Sequence, residues 1–64
     1  MNSGQFRSIL NRLGLSQLEA ARIFGIGERT ARRWAAGIAR VPHTVALLLL
    51  LLADGKISLT HIEA

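Results

Sequence analysis

The chain has 64 residues, half of them hydrophobic, with one proline and no cysteine. That length suits one domain, burying only ~60% of the surface its unfolded chain exposes, and the missing cysteine excludes disulfides and leaves only His43 and His61 as soft metal ligands. The net charge is +4, and four of the seven arginines lie between positions 29 and 40, a clustering that points to a polyanionic partner.

The opening stretch, MNSGQFRSIL, lacks the long apolar segment and cleavage site of a signal peptide. Helix 1 is expected from Ser3 to Leu13, where Phe6, Ile9, Leu10 and Leu13 recur at helical spacing, with Gly14 as its stop. Ser16 reads as the N-cap of helix 2, with Glu19 at the capping-box distance. Leu18, Ala21 and Phe24 then share one face, and Gly25 ends the helix with Ile26 folding back onto it. Gly27 starts helix 3, in which Ala31 and Trp34 point inward while Arg29, Arg32 and Arg33 lie elsewhere, and Gly37 stops it. Trp34, flanked at helical spacing by Ala31 and Ile38, is read as a packing anchor. Residues 38–41 form a loop, and Pro42 opens helix 4 with its pre-set φ. Helix 4 runs to about Asp54, with Gly55 as its stop, and Ser58 caps a short fifth helix carrying Leu59 and Ile62. No strand-like alternation and no repeat is present, so the expected architecture is all-α, five short helices in one domain spanning residues 1–64.

Two short helices joined by a glycine turn, the second rich in arginine, have the layout of a helix-turn-helix whose second helix enters the DNA major groove. Ser16, Gln17, Ala21, Gly25, Ile26, Thr30, Arg33, Trp34, Gly37 and Pro42 together resemble the phage repressor/Cro-type (XRE-type) helix-turn-helix family, over residues 16–42 and at that family's spacing. The resemblance implies a compact lambda-repressor-like domain, and a sequence-specific regulator of double-stranded DNA, a repressor in the cytoplasm of a bacterium or encoded by a phage. It implies that Glu28, Arg29 and Arg33 read bases and that Gln17 donates to a phosphate. Arginine pairs bidentately with guanine O6 and N7, worth ~1–3 kcal/mol of discrimination, and a glutamate accepts from cytosine N4. A G/C-containing half-site follows, although Glu28 is equally read as a first-turn acid favoured by the helix dipole. Thr30, Arg32, Arg40 and His43 are candidates for the DNA backbone, His43 being equally an inert helix-start residue. Arg7 and Arg12 read as solvated charge.

The chain departs from the family at three points. A glutamate often found at the position of Ala35, paired with a basic residue at that of Leu10, is replaced at both ends by apolar side chains, a swap of ion pair for packing. Helix 3 starts on Gly27 where Ser or Thr is commoner. The reading surface carries three arginines where the family is mixed polar, which favours tight but less discriminating binding.

Helix 4 carries six consecutive leucines, 47 to 52. The apolar run from Val45 to Ala53 is far short of the ~20 residues of a membrane span, so no membrane partner is expected. At ~100° per residue Val45, Leu48, Leu49 and Leu52 share one face and Leu47, Leu50 and Leu51 the other, one stripe more than a small domain needs. The outer stripe is expected to join two copies into a homodimer on half-sites ~34 Å apart, unless the fifth helix covers it. An alternative is an antitoxin-type DNA-binding protein whose helix 4 holds a toxin or other protein, and another is a helical interaction domain with an incidental basic face. Two distant histidines, four acids and no cysteine offer no nucleophile–base pair or metal cluster, so neither catalysis nor a cofactor is expected.

Overall fold

The structure, a computed structural model, describes residues 1–58. Among them it contains four helices and no strand: α1 (Ser3–Leu13), α2 (Gln17–Phe24), α3 (Glu28–Ala36) and α4 (His43–Ala53). The fifth helix expected beyond Ser58 lies outside the described residues. No helix among those described is long and apolar enough to cross a membrane.

Local hydrogen bonding sets the helix boundaries. Asn2 Oδ1 accepts from the Gln5 N–H at 2.8 Å while Gln5 Oε1 accepts from the Asn2 N–H at 2.9 Å, a capping box that starts α1. Ser16 and Glu19 repeat the device on α2, at 3.1 and 3.0 Å. Gly27 caps α3 with no side chain to offer, and its carbonyl accepts from Thr30 and Ala31 instead. Pro42 sits one position earlier than expected, as the N-cap of α4, because its ψ of 146° is extended and not helical. All four helices end in the same reversal, the N–H of Leu15, Ile26, Ile38 or Lys56 donating to the carbonyl five residues before it at 2.9–3.0 Å. This geometry needs a left-handed residue at the bend, and at the α2–α3 turn Gly25 supplies it with φ 65° and ψ 32°.

α1 is central, packing against both α3 and α4, while α2 packs on α3. One apolar cluster joins Phe6, Ile9 and Leu10 of α1 to Ala20 of α2, Trp34 and Ala35 of α3, Val41, and Ala46 and Leu49 of α4. Phe6 and Trp34 meet edge to face, ring centroids 5.8 Å apart and planes at 89°, the favoured quadrupole arrangement. Leu10 and Ala35 are both buried in this cluster, apolar against apolar. Buried alanines at 20, 21 and 31 leave α2 and α3 free to approach closely.

Several inward faces differ from the sequence expectation. Leu18 is exposed and the buried centre of α2 is Ala20 and Ala21, because α2 meets α3 through its small residues. Ile38 is not a neighbour of Trp34 on a helical face. The reversal at Gly37 takes it off the helix and leaves it 69% exposed. On α4 the buried centre is Ala46 and Leu49, with Val45, Leu48 and Leu52 half-buried beside them. Leu47 and Leu50 are 46% and 48% exposed. Leu51, expected beside them, is half-buried: its end of the helix is where the chain turns back and Lys56 N–H donates to the Leu51 carbonyl.

Candidate functional site

α3 buries Ala31, Trp34 and Ala35 and exposes everything else it carries. On a helical wheel Arg29 and Arg33 fall opposite that buried stripe, ~40° apart and ~6 Å apart along the axis. Both are exposed, and the ion pairs among the described residues do not include them. Glu28 and Arg32 occupy one flank, joined by an i, i+4 salt bridge of 2.6 Å between two exposed side chains. Thr30 is alone on the other flank, also exposed. The helix therefore presents two uncommitted guanidinium groups at its crest, with a self-neutralised pair beside them. A carboxylate has about four lone-pair sites, so Glu28 retains acceptor capacity while it holds Arg32.

The seat of this helix involves a residue that sequence reading left in solvent. Arg7 is not merely solvated charge: its Nη1 donates to the Ala35 carbonyl at the end of α3. The last carbonyls of a helix lack partners within it and carry the negative end of its dipole, so a guanidinium there is favoured twice over. Close approach of α1 completes the seat: a Cβ built on Gly37 would lie 3.2 Å from Ser3 Oγ, and its φ of 78° is left-handed.

The remaining expected contacts are divided between elements. Gln17 is half-buried at the first position of α2, next to the capping box. That box holds the Glu19 carboxylate below the ordinary glutamate range, chiefly through the Ser16 backbone N–H, then the Ser16 hydroxyl, with Arg22 adding a smaller pull. Arg40 is exposed in the α3–α4 loop, lining a shallow trough with Met1–Ser3 and Gly37–Ala39. His43 is in a different place from the others. It lines a groove between α1 and α4 with Arg12, Leu47 and Leu50. Among the described residues no three His, Asp or Glu side chains come together as a metal site.

Compared with known proteins, the chain matches no family model, no curated protein and no solved structure.

Proposed function

We propose that this chain is a sequence-specific double-stranded-DNA-binding regulator of helix-turn-helix type, with α2 and α3 as the motif and α3 in the major groove. The observation that carries the reading is the crest of α3, where Arg29 and Arg33 stand exposed, free of ion pairs among the described residues, and opposite the buried Trp34 stripe. A single helix fits the B-DNA major groove, and two arginines one turn apart match the guanine edges it displays. Arg32 and Thr30, on the two flanks, face the two phosphate walls, and Glu28 accepts from a cytosine amino group while it orients Arg32. Gln17 and Arg40 add backbone contacts from α2 and the α3–α4 loop. A net charge of +4 supplies the attraction that brings the helix to the groove. Because one small domain reaches few phosphates, two copies on half-sites one helical turn apart, ~34 Å, complete the binding mode, that of a repressor occupying its operator.

The test is fluorescence anisotropy of a mixed-sequence duplex pool at two salt concentrations, with the chain and with its Arg29→Ala, Arg33→Ala double variant. The chain is expected to bind with an affinity that falls steeply with salt, and the double variant to bind more weakly with a slope little changed, because the slope counts phosphate contacts and these two side chains read bases. Both side chains are exposed, so circular dichroism should be the same for the two proteins. No binding at low salt, or equal binding by both, would reject the reading.

A further inference from the structure

We propose that the groove between α1 and α4 docks an acidic amphipathic helix of a partner protein. The groove is about 750 Å³. Gly4 and Ser8, one turn apart on α1 and both exposed, line it with little or no side chain, as Ala46 does on α4. Ile9 and Ala46 form its floor, and Leu47 and Leu50, nearly half exposed, form one apolar wall. Large leucines standing in water beside a preformed trough suit the apolar face of an incoming helix, with anchors at i, i+3 and i+4.

The lip decides the charge of the occupant. Arg12 lines it, together with His43, Ser8, Asn2 and Gln5, and among the described residues no Asp or Glu lines the groove. The Asn2 and Gln5 oxygens each already accept one hydrogen bond in the capping box of α1, and their amide N–H groups remain to donate. The lip thus offers amide donors and the Arg12 cation, with no carboxylate among the described residues. Complementarity calls for acidic residues flanking the apolar anchors. A second copy of this chain docked groove to groove would set the same patch against itself, and among the described residues that patch brings no carboxylate to meet Arg12. This surface does not depend on the DNA reading, because Arg29 and Arg33 are not part of it.

The probe is a fluorescein-labelled synthetic helix with leucines at i, i+3, i+4 and i+7 and glutamates flanking them, against the same helix with lysines in place of the glutamates. The glutamate helix should bind at least about tenfold more tightly. Its backbone amide shifts should map to Ser8, Arg12, Ala46, Leu47 and Leu50. Leu50→Asp should abolish binding, Arg12→Glu should reverse the preference between the two helices, and Arg29→Ala with Arg33→Ala should leave it unchanged. Leu50 and Arg12 are exposed, so both variants should keep the parent circular dichroism. Equal binding of the two helices, no binding of either, or shifts confined to α3 would overturn the proposal. A concentration-dependent dimer in sedimentation that Leu50→Asp dissolves would also overturn it, assigning the groove to a second copy.

Discussion

Glu19 shows how much one exposed side chain does when the backbone is its partner. Its carboxylate accepts the Ser16 N–H at 3.0 Å and sits below the ordinary glutamate range for that reason. A depressed pKa in the folded state means that ionised Glu19 stabilises the fold above the pKa it has in the unfolded chain, and that this contribution disappears as pH falls through the folded value. Urea denaturation of the chain and of Glu19→Gln, at neutral pH and again well below the glutamate range, checks this. The chain should lose more stability on acidification than the variant does, and a gap that is constant with pH would show that the charge contributes nothing. The same capping box was legible in the sequence because Ser16 and Glu19 are three residues apart and no tertiary structure is needed to bring them together. The Glu28–Arg32 pair is of another kind. Both partners are exposed and one turn apart, an arrangement worth only ~0.3–0.5 kcal/mol, so its importance is in what it leaves free on α3.

At the scale of the element, α3 is held from both ends. The turn at Gly25–Gly27 sets where it begins, and the reversal at Gly37 sets where it stops. Both were legible, since the hydrogen bonds of these helix ends reach back no more than six residues. Its seat was not. Arg7 reaches the Ala35 carbonyl across a separation of 28 residues. The sequence says that α3 has carbonyls in need of donors, but only packing selects which of the arginines delivers one. Arg7→Ala is therefore expected to lower the stability by about 1–2 kcal/mol, by stranding a partly buried carbonyl, whereas Arg12→Ala, on the groove lip, should change it by less than about 0.5 kcal/mol. Urea midpoints of the two variants make the comparison. Equal effects would mean that the Arg7 contact adds nothing beyond a surface charge.

For the whole molecule the six leucines of α4 are the sharpest case. Chemically identical residues in one run end up with very different surroundings: Leu49 is fully buried in the cluster that joins α1, α3 and α4, and Leu47 and Leu50 are nearly half exposed on the groove. Leu49→Ala is expected to cost ~2–5 kcal/mol, enough to unfold much of a domain whose stability is small at this length. Leu47→Ala should cost under about 1 kcal/mol. Thermal denaturation followed at 222 nm separates them, and similar melting temperatures would contradict the assignment of Leu49 to the core.

The sequence alone determined the extent of the four helices and the arginine crest of α3, because caps, glycine reversals and helical periodicity act over a few residues and depend on little else. It also settled that α4 carries more apolar surface than one stripe requires. Only the tertiary structure decided which side of that helix is inward, moving the buried centre to Ala46 and Leu49 and turning Leu51 partly in. It likewise made Arg7 a partner of α3, exposed Ile38, and opened a groove lined by His43, Arg12 and two leucines. Each of those outcomes depends on which helix lies alongside which, and residues far apart in sequence meet only when packing brings their faces together.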